Sequence, residues 1–292
     1  MTSAALWYQG ARPKTLGVSV SCVLVGTAAG SLDGPINWWR ALAALVVAVA
    51  LQVGVNYAND YSDGVRGTDA DRVGPMRLVG SGAAAPGSVK AAAFAAFGVA
   101  AAAGLVLAVT TAWWLVAIGA ACIVAAWFYT GGTRPYGYAG LGEVMVFVFF
   151  GLVAVVGTTY VQTESFELAA LSAAVGVGSL ACAILVANNL RDIPTDREAG
   201  KLTLAVRLGD GSTRQLYACL VLVAIASAVV AALLTTWWAV LALAYAGTAA
   251  PAARAVLEGA RGPELIPVLQ QTGLAELVFG AGLFAGLLIG TT

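Results

Sequence analysis

The chain has 292 residues, 60% of them hydrophobic and 10% charged, with 15 acidic and 15 basic side chains that cancel to a formal charge of zero. Soluble domains carry about 25% charged residues, so this composition, with a mean hydropathy of +0.86, excludes a soluble globular enzyme and points to an integral membrane protein. It also leaves no surplus of basic charge for nucleic acid. Histidine is absent, which removes the commonest general base and the usual transition-metal ligand.

Spanning a bilayer takes roughly 20 apolar residues in a helix. Nine runs of that kind occur, near 16–32, 38–59, 89–109, 112–130, 141–161, 168–189, 215–234, 237–256 and 273–290, which predicts a single all-α domain over 1–292 with nine transmembrane helices. When Lys and Arg are assigned to alternate loops, fourteen of the fifteen fall on one side and only Arg40 falls opposite. By the positive-inside rule the N-terminus is expected in the cytoplasm and the C-terminus outside.

Arg12-Pro13-Lys14 precedes the first run, and no cleavage pattern follows it, so this helix is expected to stay. The second run ends in Asn56-Tyr57-Ala58-Asn59-Asp60-Tyr61-Ser62-Asp63. The loop between the fourth and fifth runs holds Arg134 and three tyrosines, Tyr129, Tyr136 and Tyr138, and Glu143 opens the fifth. The sixth ends in Asn188-Asn189-Leu190-Arg191-Asp192-Ile193-Pro194-Thr195-Asp196. Cys22, Cys122, Cys182 and Cys219 lie within the runs without metal-ligand spacing and read as packing residues.

The two Asn/Asp clusters carry the chemistry. A carboxylate at membrane depth costs roughly 2.5–3.5 kcal/mol even on the mild insertion scale, and at a helix C-terminus it also meets the negative end of the dipole. A compensating partner is required, and Mg2+ suits these hard oxygen donors, which would leave phosphate and water to complete its shell. The pattern Asn-x-x-x-Asp occurs at Asn56/Asp60 and again at Asn188/Asp192. Four helices separate them, so both helices run the same way and their ends can converge on one diphosphate. Arg66, Arg72, Arg77, Arg134 and Lys201 are candidate phosphate ligands, with Arg72, Arg134 and Lys201 foremost because each adjoins a dense polar motif. Topology signalling alone accounts for about half of these charges. Gln52 and Glu276 read mainly as helix–helix hydrogen-bonding groups. A transporter reading would place acids near mid-membrane in several helices, whereas these gather at one face.

The segments Ala11–Leu16, Asn56–Pro75 and Asn188–Gly209 resemble the UbiA superfamily of intramembrane aromatic prenyltransferases, within it most of all the branch whose acceptor is 1,4-dihydroxy-2-naphthoate. The resemblance implies a nine-helix bundle around a central cavity, and the charge bias is expected to set that bundle in the plasma membrane with its active site toward the cytoplasm. It implies Mg2+-dependent transfer of a polyprenyl group from polyprenyl diphosphate to an aromatic acceptor, dihydroxynaphthoate or alternatively 4-hydroxybenzoate. By position, Asn56, Asp60 and Asp63 would hold one metal and Asp192 with Asp196 the other. Arg12, Asn59, Tyr138 and Asn188 join the substrate-binding set with Arg72, Arg134 and Lys201. The wider superfamily reads Asn-x-x-x-Asp-x-x-x-Asp in the first motif, whereas here Asp60 is followed by Asp63 and then Asp69.

Overall fold

The computed structural model describes residues 3–67 and 76–291. Arg72 and Asp69, expected at the site, lie outside the described residues, as do Gly74 and Pro75. All regular structure among the described residues is helical: α1 Ala4–Gly10, α2 Leu16–Gly30, α3 Trp38–Arg66, α4 Pro86–Thr110, α5 Leu115–Phe128, α6 Gly142–Thr163, α7 Leu168–Glu198, α8 Leu204–Leu234, α9 Trp237–Leu257 and α10 Gly262–Thr291. The signals that start and stop these helices are local. Asn37 and Thr203 accept hydrogen bonds from the first-turn amides of Arg40 and Val206, Pro86 opens α4 where its missing N–H costs nothing, and Gly67 (φ 74°) closes α3.

Seven of these helices, α3, α4 and α6 to α10, are long and apolar enough to cross a membrane. The expected first and fourth spans are shorter. α2 has 15 residues and α5 has 14, so that α5 reaches only about 21 Å at 1.5 Å per residue. Trp38, Trp39, Trp113, Trp237 and Trp238 are exposed where α3 and α9 begin and α4 ends, which forms an aromatic girdle at one end of the bundle.

The bundle has two packed halves. α3 pairs with α4 and carries α5, whereas α7 packs on α6, α8 and α10, and α9 lies along α10. α2 bridges the halves, touching α3, α6, α7 and α10. Close approach depends on small residues, because lipid supplies no hydrophobic drive between helices. At Gly151 of α6 a side chain would come within 2.7 Å of the Ala174 carbonyl and 2.9 Å of Gly178 Cα. The middle of α6, residues 147–156, is wound more widely than an α-helix, as often occurs at functional sites. Between the halves lies a cavity of about 1430 Å3.

Candidate active site

Polar residues at the end of α3 share one arc, but they do not share one task. At about 100° per residue, Asn59 and Asp63 fall to one side of Asn56 and Asp60 to the other. Asn59 and Asp63 line the cavity, and the Asn59 carboxamide oxygen accepts the Thr130 hydroxyl at 2.7 Å. Asp60 is absent from the lining. Its carboxylate accepts the backbone N–H groups of Leu78 (2.7 Å) and Val79 (2.9 Å), tying the segment after α3 back onto the helix. The sequence grouped Asp60 with Asp63, and the structure separates them because 78–79 folds against the Asp60 side of α3.

Asp63 is a meeting point. It accepts the Tyr138 hydroxyl, and its oxygens lie 3.5 Å from Arg77 and 3.7 Å from Lys201. Lys201 also stands 4.8 Å from the Tyr138 ring centre, where the ring's negative face attracts it. The loops converge because their backbones are joined: Leu202 N–H donates to the Tyr138 carbonyl at 3.0 Å, and Arg66 donates to the carbonyls of Thr130 and Gly132. Arg66 is thus a brace between α3 and the tyrosine loop. In that loop Tyr136 donates to the Ala125 carbonyl at 2.8 Å, and burial pushes its phenol well above the ordinary value, so it stays a neutral donor.

Across the cavity, Asn188, Asp192, Asp196 and Asn189 of α7 join the lining. Arg191 holds Asp192 through two hydrogen bonds of 2.7 Å and donates to Asn188 at 2.9 Å, while Asn188 reaches Asp192 at 3.4 Å. Asn189 donates to Glu143 at 2.9 Å, which fixes its orientation. Arg12, Lys14 and Lys201 complete the polar mouth. Arg134, expected here, is exposed and lies outside the lining. Glu276 is fully buried in α10, away from the cavity, with its backbone carbonyl accepting the Ser21 hydroxyl at 3.1 Å.

The remainder of the cavity is apolar, walled by residues such as Val47 and Leu51 of α3, Ile118 of α5, and Phe149, Phe150 and Val153 of α6. Among the described residues no group of three or more acidic or cysteine side chains is close enough to hold a metal ion unaided. Oxygen donors on opposite walls suit Mg2+, which is usually held by one or two carboxylates with substrate phosphate and water.

Sequence reasoning overlooked Arg191, because neighbours along a helix are not expected to face one another. It also passed over Lys14 and Asn189, whose place in the lining depends on how the turn before α2 and the end of α7 are set.

A membrane-spanning bundle whose apolar cavity opens at a mouth of paired acids and bases is built to receive an amphipathic lipid, with charged head at the mouth and tail among the helices. The UbiA prenyltransferase family pattern matches residues 19–263. The chain is 55% identical over 290 residues to the 1,4-dihydroxy-2-naphthoate octaprenyltransferase of Mycobacterium tuberculosis, covering 99% of each chain. It is 37% identical over 291 residues to the Escherichia coli enzyme of the same name, covering 95% of this chain and 94% of that one. Its fold matches the apo structure of a UbiA homolog from Aeropyrum pernix (TM-score 0.72, 15% identity, 94% and 97% of the chains). It also matches a UbiA homolog from Archaeoglobus fulgidus bound to DMAPP and Mg2+ (TM-score 0.58, 17% identity, 97% and 99% of the chains). The chain belongs to the UbiA prenyltransferase family.

Proposed function

We propose that the chain transfers a polyprenyl group from polyprenyl diphosphate to 1,4-dihydroxy-2-naphthoate with loss of carbon dioxide, giving demethylmenaquinol, in a Mg2+-dependent reaction. The observation that carries this reading is the two-part cavity, in which Asp63 with Arg77 and Lys201 faces Asp192 with Arg191 above an apolar chamber. Near-complete alignment with relatives named for that acceptor supports it.

Asn59 and Asp63 on α3, and Asp192 and Asp196 on α7, are the residues that would hold Mg2+ beside the diphosphate. When bound, the metal supplies positive charge to the departing phosphate oxygens. Lys201, Arg77, Arg12 and Lys14 add fixed charge, which stabilises the transition state because it needs no reorganisation. The allylic carbon–oxygen bond breaks and its electron pair leaves with diphosphate. The electron-rich acceptor ring forms the new carbon–carbon bond, and the carboxylate departs as carbon dioxide, returning its bonding pair to the ring. No strong protein base is required, in keeping with a chain that has no histidine. Tyr138, whose hydroxyl donates to Asp63 and whose ring lies against Lys201 and Arg66, holds the acid and the cations of this wall in register. Phe149, Phe150 and the neighbouring apolar wall keep water from the cation and take the tail.

The membrane arrangement that goes with this reading has nine crossings, with α2 and α5 as the two short ones, the N-terminus in the cytoplasm, the C-terminus outside and the mouth facing the cytoplasmic side of the plasma membrane. Local thinning of the bilayer accommodates short spans at a modest cost per ångström. The direct test offers dihydroxynaphthoate and 4-hydroxybenzoate, each with polyprenyl diphosphate, to membranes carrying the chain. Prenylation of dihydroxynaphthoate alone, lost on adding EDTA, is expected. Turnover of 4-hydroxybenzoate only, or turnover indifferent to EDTA, overturns the assignment.

A further inference from the structure

Asn56 borders the cavity, but both hydrogens of its carboxamide are committed away from it. The side-chain nitrogen donates to the Ala11 carbonyl at 2.9 Å and to the Thr15 hydroxyl oxygen at 3.0 Å. A carbonyl only accepts, so the atom facing Ala11 is the nitrogen. Its oxygen faces Gln52, which lies 3.4 Å away and donates also to Thr15 at 3.2 Å. Thr15 passes its own hydrogen to the Arg12 carbonyl at 2.9 Å. The result is a closed relay from α3 to the turn that precedes α2.

That turn is unusual. Arg12 adopts φ 53° and ψ 65°, the left-handed state, one of two non-glycine residues with positive φ among the described residues. Side-chain-bearing residues hold such a conformation where the surroundings impose it, and such positions gather at functional sites. Arg12 and Lys14, on either side of Pro13, both border the cavity.

We infer that Asn56 is a positioning residue: by donating both amide hydrogens to Ala11 and Thr15 it fixes the Arg12–Lys14 turn in its left-handed form and aims two cations at an anionic group of the substrate, instead of lending an oxygen to a metal ion. The inference rests on the proposed reaction only for which anion is met, the acceptor carboxylate or the diphosphate.

The variants Asn56→Asp and Asn56→Ala decide between the roles. A carboxylate is a better metal ligand than a carboxamide but has no hydrogen to give, so a positioning role makes the two variants alike and a ligand role makes them opposite. In the purified full chain, hydrogen exchange at residues 11–15 is expected to quicken by about tenfold or more in both, with the rest of α3 unchanged. In kinetics, both are expected to raise the KM of one substrate about tenfold with kcat and the Mg2+ midpoint nearly parental; dihydroxynaphthoate as that substrate identifies the carboxylate, polyprenyl diphosphate the phosphates. Parental exchange at 11–15 in Asn56→Asp, or a Mg2+ midpoint raised in Asn56→Ala and restored in Asn56→Asp, overturns the inference. Thr15→Val removes the relay's central hydroxyl and carries the same expectations should either Asn56 variant fail to fold. The exchange readout needs no turnover, so a wrong acceptor would appear as parental inactivity and leave this result readable.

Discussion

Replacing Asp60 by asparagine separates a framework role from a catalytic one. Asp60 is 1% exposed, and each of its oxygens accepts a backbone N–H, from Leu78 and from Val79. Asparagine keeps one acceptor and turns an NH2 group toward the other donor, so one charge-assisted bond is lost and a buried N–H is left without a partner. Bonds to charged groups contribute about 1.5–3 kcal/mol and an orphaned buried donor costs about 1–3 kcal/mol, so a loss of about 3 kcal/mol is expected. For a chain of 292 residues, at about 2.1 cal/mol/K of unfolding entropy per residue, that lowers Tm by roughly 5 °C. The segment restrained by Asp60 includes Arg77, which reaches Asp63, so activity falls with it. Thermal unfolding in detergent and a Mg2+ titration of the initial rate measure both effects. A lower Tm with an unchanged Mg2+ midpoint is the expected pair of results. An unchanged Tm with a midpoint raised about tenfold would refute the reasoning and return Asp60 to the metal.

Lys201→Met removes a cation 3.7 Å from Asp63 and 4.8 Å from the Tyr138 ring, and steady-state kinetics are expected to show kcat/KM for polyprenyl diphosphate falling about tenfold or more. Gly151→Leu drives a side chain into the backbone of α7 at Ala174 and Gly178, so Tm should fall sharply, whereas Gly157→Ala, at a helical position with nothing within 4 Å of the added carbon, should keep or slightly raise it. Arg134→Ala alters an exposed side chain outside the cavity and is expected to keep kcat/KM within about twofold of the parent, while Arg191→Ala strips buried Asp192 of its bidentate partner and should cost far more than that in the same assay.

Hydropathy made the bundle legible because lipid demands long apolar helices, but it misplaced their polar ends. The second apolar run ends at 59 and the helix continues to Arg66; the sixth run ends at 189 and the helix continues through Pro194 to Glu198; the ninth run starts at 273 and the helix begins at Gly262. In α3 and α7 the helix outlasts its apolar stretch because its last turns carry the polar site residues. The convergence of α3 and α7 on one cavity followed from counting crossings. Helical spacing could not tell Asp60 from Asp63, since both lie within one arc and only the fold-back of residues 78–79 decides which side is occupied. Adjacency to the tyrosine loop groups Arg134 with the site in sequence, yet that loop leaves Arg134 exposed outside the cavity while Tyr138 lines it. The roles of Asn56 and Arg191 depend on hydrogen bonds to a distant turn and to an immediate neighbour, neither of which periodicity encodes.

The most direct test of the diphosphate site is equilibrium binding of an unreactive thio-analogue of polyprenyl diphosphate to the purified chain, with and without Mg2+. Binding that requires Mg2+ and weakens about tenfold or more in both Asp63→Asn and Asp192→Asn is predicted, since each removes a carboxylate from an opposite wall. Equal affinity without the metal, or parental affinity in the double variant, would contradict the account.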